Sequence, residues 1–166
     1  MDYEYALNIA NDVVDRLKPH CERIEIAGSV RRKKPINIHD IEIVAIPKPY
    51  EVDLFASGIA LVIPKWEKVK GELPCKYTQR IHESGAKLDI FFATPENWGF
   101  MFAVRTGNAS FSKHLGKMWV KYGYKGVEGN LMRSGKKIAV REEVELFKML
   151  GLKYVEPEER NWGEIK

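Results

Sequence analysis

Two apolar runs in this chain carry acids on one alternating face, a pair in the first and a single one in the second, and that pattern restricts its possible folds more than any other feature. The runs are Ile38-His39-Asp40-Ile41-Glu42-Ile43-Val44-Ala45 and Lys87-Leu88-Asp89-Ile90-Phe91-Phe92. In a β-strand successive side chains point to opposite faces. Ile41, Ile43 and Ala45 then share one face, and Asp40 and Glu42 the other. In the second run Leu88, Ile90 and Phe92 oppose Lys87, Asp89 and Phe91. Carboxylates side by side in apolar surroundings repel each other, and burial penalises their charge. A divalent cation removes the conflict, and one or two carboxylates together with substrate phosphates are the usual ligands of Mg²⁺. If the two strands are neighbours, Asp40, Glu42 and Asp89 form a cluster able to hold two cations about 3.5 to 4 Å apart, bridging the attacking and leaving oxygens of a phosphoryl transfer. The competing reading is an edge strand whose acidic face is simply wet, with Asp89 in a salt bridge to Lys87 or Arg80.

The rest of the chain supplies a setting for these strands. Apolar spacing predicts a helix over 3–18, ended by Pro19. Strands are expected over 23–27, 39–46, 66–71, 76–82 and 87–93, the last two joined as a hairpin through Glu83-Ser84-Gly85. A helix over 52–62 is expected in the gap. Beyond Thr94-Pro95 the pattern turns helical, with helices over 96–104, 110–122 and 142–150. Gly151 is a natural cap for the last of these. Gly126, Gly129 and Gly135 flank one short hairpin near 130–133, and the tail from Glu156 to Arg160 reads as polar. The expected architecture is α+β: a mixed sheet with helices on one face over 1–100, then a small, mainly helical part over 101–166.

Composition removes several classes of protein. The 166 residues are 45% hydrophobic and 30% charged, the balance of a chain with a core rather than a disordered one. No apolar run approaches the roughly 18 to 20 residues of a membrane span. The N-terminus lacks the layout of a secretory signal, and the two cysteines, Cys21 and Cys75, form neither a disulfide framework nor a metal-type pair. An intracellular protein is expected, cytoplasmic or phage- or virus-encoded, with no membrane partner. The net charge of +4 is weak support for a polyanionic partner. More pointed is Lys113, Lys117 and Lys121, one stripe on the helix over 110–122, as a surface tracking a phosphate backbone would present; a solvated helix face is the alternative. Gly28-Ser29-Val30-Arg31-Arg32 follows a strand directly. Gly28 permits close backbone approach, Ser29 offers a hydroxyl, and Arg32 can fork onto a phosphate.

The order of these features resembles the nucleotidyltransferase superfamily and, within it, the family X DNA polymerases, the polymerase beta group. The matching residues are Gly28-Ser29-Val30-Arg31-Arg32, Asp40-Ile41-Glu42, Leu88-Asp89, Arg105-Thr106-Gly107 and the closing Gly151-Leu152-Lys153-Tyr154-Val155-Glu156-Pro157-Glu158-Glu159-Arg160. The resemblance implies a nucleotidyltransferase palm followed by a thumb. It implies that Asp40 and Glu42 bind two Mg²⁺ ions, with Mn²⁺ able to substitute, and that Asp89 binds the catalytic ion and helps activate the primer 3′-hydroxyl. Gly28, Ser29, Arg32, His39, Arg105, Thr106, Gly107 and Asn108 would surround the nucleotide. Lys87 would lie near the primer-terminal phosphate, and Lys113, with Lys117 and Lys121, would face DNA. Family members usually carry Asp where this chain has Glu42, an aromatic pair where it has Val104 and Arg105, and other residues in place of Ala109 and Ser112. With only a short stretch before Gly28, the family's N-terminal lyase and helix-hairpin-helix regions, and with them deoxyribose-phosphate lyase activity, are not expected.

The expected activity is metal-dependent, DNA-directed extension of a DNA 3′-hydroxyl from nucleoside triphosphates by a monomer, releasing pyrophosphate, in gap filling or repair. Two alternatives are transfer of a nucleotide to an RNA end, protein or small molecule, and a non-catalytic DNA-binding module.

Overall fold

In the computed structural model, which describes residues 1–49 and 58–163, the first helix forms where its apolar stripe predicts. Helix α1 spans Tyr3–Leu17, and its N-cap Asp2 accepts the Tyr5 N–H at 2.9 Å. Ala6, Ile9, Ala10, Val13 and Leu17 are buried on one face, and Pro19 stops the helix within the following 3-10 turn. Five strands follow: β1 (Cys21–Ile26), β2 (Asp40–Pro47), β3 (Glu67–Lys70), β4 (Tyr77–Ile81) and β5 (Lys87–Phe92). They form one mixed sheet in the order β1-β2-β5-β4-β3, in which only β2 and β5 run parallel.

The core of this unit lies on one face of the sheet. Ile41, Ile43 and Ala45 of β2 and Leu88 and Ile90 of β5 join Ala10, Val13 and Leu17 of α1 there, together with Ile59, Ile63 and Trp66. Ile59 and Ile63 sit in two 3-10 turns, Gly58–Leu61 and Ile63–Lys65. The helix expected over 52–62 is therefore replaced by 3-10 turns from Gly58 onward; its earlier part lies outside the described residues. Between β1 and β2 a single helical turn, α2 (Gly28–Arg31), begins directly after the strand.

The chain divides into two units, Met1–Phe92 and Ala93–Lys166. The division falls ahead of the 100/101 boundary expected from the sequence, because residues 96–103 are tied into the second unit. Val140 N–H donates to Glu96 O at 2.7 Å and Gly99 N–H to Val140 O at 2.8 Å. Gly99 allows that approach, since a Cβ there would lie 2.3 Å from the Glu142 backbone.

The second unit contains α3 (Trp98–Thr106), α4 (Ala109–Lys121) and α5 (Glu143–Met149). It also holds a three-stranded antiparallel sheet of β6 (Lys125–Val127), β7 (Asn130–Arg133) and β8 (Lys136–Ile138), larger than the single hairpin expected. Phe100, Phe111, Leu115, Leu131, Leu146 and Phe147 share its core. Helix α5 starts with a capping box between Glu142 and Glu145. The tail is not merely polar. Arg160 is fully buried and forms a two-pronged ion pair with the buried Glu143, Nη1 to Oε1 and Nη2 to Oε2, both at 3.1 Å. Among the described residues no helix is long and apolar enough to cross a membrane.

Candidate active site

Strand register brings the predicted carboxylates together. Parallel pairing of β2 with β5 sets Asp40 beside Lys87 and Glu42 beside Asp89, so all four side chains share the face opposite the core. Asp40 and Asp89 lie near enough to share a side-chain hydrogen bond when one of them is protonated. Burial, followed by the charge of Asp89 and that hydrogen bond, raises the Asp40 carboxyl above its ordinary pKa, while Lys87 and His39 act in the opposite direction. Asp89 is buried, and its Oδ1 accepts from the Tyr77 hydroxyl and, at 2.8 Å, from Gln79 Nε2. Neither partner was singled out from the sequence. The signal was present, because the Glu83-Ser84-Gly85 turn sets the β4–β5 register that places Gln79 opposite Asp89.

The salt bridge considered between Asp89 and Arg80 is excluded by the same register. Arg80 pairs with Leu88 and so points into the core face, where it donates to Thr78 Oγ1 at 2.9 Å and to the Trp66 and Gly71 carbonyls.

Glu42 lies over the turn that follows β1. Gly28 has φ +58°, and a Cβ on it would fall 1.7 Å from Glu42 Oε2. Glycine is thus required twice at this position, for the left-handed backbone and for the space taken by the carboxylate. The Ala27 N–H also donates to Glu42 O at 2.8 Å, locking turn to strand. One turn of α2 then brings Arg32 back to Ser29, with Nη2 donating to Oγ at 3.2 Å. Arg32 is largely buried. His39, by contrast, is exposed at the start of β2, and Lys87 is exposed at the start of β5. Eight of the expected residues, Gly28, Ser29, Arg32, His39, Asp40, Glu42, Lys87 and Asp89, therefore surround the paired starts of β2 and β5.

The other expected residues lie in the second unit. Arg105 is half-buried in the last turn of α3. Thr106 is fully buried and its hydroxyl donates to Phe102 O at 2.6 Å. Asn108 is the N-cap of α4. Its Oδ1 accepts the Phe111 N–H at 3.0 Å and its Nδ2 donates to Trp162 O at 2.7 Å. Gly107 forms the turn between these two residues, against the Phe111 ring. Lys113, Lys117 and Lys121 are all exposed along α4, while Phe111 and Leu115 face the core.

One further cluster was not foreseen. Asp12, His82 and Glu83 each present a ligand-type atom within 4.8 Å of the others. Arg16 occupies the same place, bonding both oxygens of Glu83 at 3.1 and 2.8 Å and Asp12 at 3.1 Å. The cluster is an ion-pair clasp from α1 to the β4–β5 turn.

Taken together, the structure is a mixed α and β protein. One unit holds a five-stranded mixed sheet with paired carboxyls on its open face, and the other is a largely helical, thumb-like unit. Residues 102–161 match the family model described as the DNA polymerase beta thumb. That match supports a relationship of this chain to the polymerase beta-like, family X group. No curated protein matches the chain.

Proposed function

We propose that this chain is a metal-dependent nucleotidyltransferase of the family X type, a palm followed by a thumb, which extends a DNA 3′-hydroxyl from a nucleoside triphosphate and releases pyrophosphate. The observation that supports this most directly is the β2–β5 register, which sets Asp40 and Glu42 beside Asp89 next to the Gly28-Ser29 turn. The thumb match supports DNA as the partner.

The donor set suits a hard divalent cation. All three side chains offer oxygen, and the raised pKa of Asp40 against Asp89 is a conflict between like charges that a cation relieves. Asp40, Glu42 and Asp89 would hold Mg²⁺ or Mn²⁺, which would offset charge on the phosphoryl oxygens. The chain's own groups do the rest. Ser29 and Arg32 bind the β- and γ-phosphates. Asp89, held by Tyr77 and Gln79, orients the attacking hydroxyl. Lys87 neutralises the phosphate nearest the 3′ end. The exposed lysines of α4 attract the DNA backbone.

A second reading is favoured by the match being confined to the thumb: a DNA-binding module without catalysis. Extension of a labelled primer, alone and on a gapped template, separates the two. The assay uses Mg²⁺ or Mn²⁺ with deoxy- and ribonucleotides in turn. Templated extension by the wild type that Asp89→Asn abolishes supports the polymerase. DNA binding of equal strength in both proteins, with no pyrophosphate from either, supports the module and sinks the enzyme.

A further inference from the structure

Of the chain's four tryptophans, one differs in its setting. Trp66 and Trp98 are buried, and the half-buried Trp119 packs on Phe100 with ring centres 5.1 Å apart. Trp162, in the tail of the second unit, is 40% exposed. It is nevertheless held in place. Arg160, two residues earlier, is anchored on Glu143, and its carbonyl accepts the Asn108 N–H at 3.2 Å. The Asn108 side chain donates to the Trp162 carbonyl at 2.7 Å. The indole meets the Phe111 ring edge-on, with centres 5.1 Å apart, and its centre lies 4.8 Å from that of the His114 ring. The next residue, Gly163, passes Ser110, where a Cβ would stand 3.9 Å from Oγ. Ser110 and His114 precede Lys113 and Lys117 by three residues each, the spacing of surface neighbours on a helix. The indole therefore stands beside the exposed lysine row of α4.

We infer that Trp162 is a stacking platform for an unpaired DNA base, set beside the α4 lysines so that a single-stranded segment follows them with its phosphates and lays one base on the indole. The inference rests on DNA being the partner, as proposed above, and adds a contact selective for unpaired strand. Proteins that hold single-stranded nucleic acid combine a basic track with aromatic rings, because every base has a face to stack and every phosphate a charge. Here Lys113, Lys117 and Lys121 are the track, and Trp162 is the exposed ring next to it. A blunt duplex offers that ring no free base, since its bases are stacked on one another. The platform is also preorganised. The bonds from Asn108 fix the backbone on which the indole stands, so little ordering is left to oppose binding. The competing role is a lid over Phe111, whose loss would weaken the fold and the binding of every DNA alike.

The test measures binding of the full chain to a blunt duplex and to the same duplex with a single-stranded 5′ tail that carries 2-aminopurine. The wild type is expected to prefer the tailed DNA and to quench the 2-aminopurine as it stacks. Trp162→Ala should weaken binding of the tailed DNA about tenfold and lose the quenching, while binding of the blunt duplex changes less than about twofold. Trp162→Phe, which keeps a ring, should behave like wild type. The slope of log binding constant against log salt should stay the same in Trp162→Ala, because an indole displaces no counterion. Thermal melting checks that both variants fold. Absence of quenching by the wild type, or equal weakening of tailed and blunt DNA in Trp162→Ala, overturns the inference, and primer extension still decides the polymerase reading. Tail-selective binding that Trp162→Ala loses, in a chain that never extends a primer, supports the platform and sinks the catalytic reading.

Discussion

Replacing Arg160 with alanine should cost the second unit much of its stability, although this residue lies in a tail that reads as polar. The guanidinium is 0% exposed. It makes two parallel bonds of 3.1 Å to Glu143 and donates Nε to Val155 O at 2.9 Å. It also lies 5.6, 5.1 and 5.2 Å from the ring centres of Phe111, Phe147 and Tyr154. Truncation strands a buried carboxylate, to which the Tyr154 hydroxyl still donates at 3.1 Å. Removing one partner of a buried pair costs about 3 to 5 kcal/mol, a large part of the roughly 5 to 15 kcal/mol that hold a domain together. For a unit of this size the melting temperature should fall by on the order of 20 °C. Acid should relieve the loss, because protonating the stranded carboxylate removes the buried charge. The double variant Glu143→Met/Arg160→Met should be less destabilised than Arg160→Ala alone, since no charge is left unpaired. Urea unfolding followed by tryptophan fluorescence measures all three proteins. A loss under about 1 kcal/mol for Arg160→Ala, the size expected of a surface pair, would refute the argument.

Three other outcomes follow from the geometry. Gly28→Ala places a Cβ on Glu42 Oε2 at a backbone φ of +58°; the strain alone is about 1 to 2 kcal/mol. Primer extension should fall at least tenfold, with partial recovery in Gly28→Ala/Glu42→Asp, and full activity in the single variant would contradict this placement. Glu83 is held down to about 2, first by its bonds from Arg16. A carboxyl lowered on folding stabilises above its unfolded pKa, so this contribution is complete above about 4.5 and is lost as pH falls toward 2. Because Glu83 is exposed the amount is under about 1 kcal/mol, and an acid melting series on Arg16→Met should show a shallower decline than wild type. Replacing Lys113, Lys117 and Lys121 with alanine should lower the slope of log binding constant against log salt by roughly 2 to 3. These side chains are exposed, so the melting temperature should barely move; an unchanged slope would place DNA elsewhere.

What the sequence made legible was local. Period-two alternation marked the faces of β2 and β5, and the stripe of α1 marked its buried side, because each depends on residues within one element. The chain pattern cannot state which strand lies beside which. Asp89 meets Asp40 only through pairing between strands separated by more than 40 residues, and that long-range choice is made by the packing of Leu88 and Ile90 with Ile41 and Ile43. Arg160 is the same lesson in reverse. Its partner Glu143 lies 17 residues away, so a side chain that reads as solvated is buried by tertiary contact. The N-cap of α4, Asn108, is by contrast a local feature. Asparagine immediately before a helix is an N-cap by its own chemistry.

The pairing of Gly28 with Glu42 bears on why this chain can carry the longer acid. A glutamate reaches about one methylene farther from β2 than an aspartate would, and that reach must end somewhere. Here it ends in the space left by the missing Cβ of Gly28, with the Ala27 N–H bonded to the Glu42 carbonyl underneath. The turn expected to take phosphates and the carboxylate expected to take cations are therefore in contact before any ligand arrives. Moving either one displaces the other. The placement of Ser29 and Arg32 then depends on the acid at position 42 as much as on the turn itself.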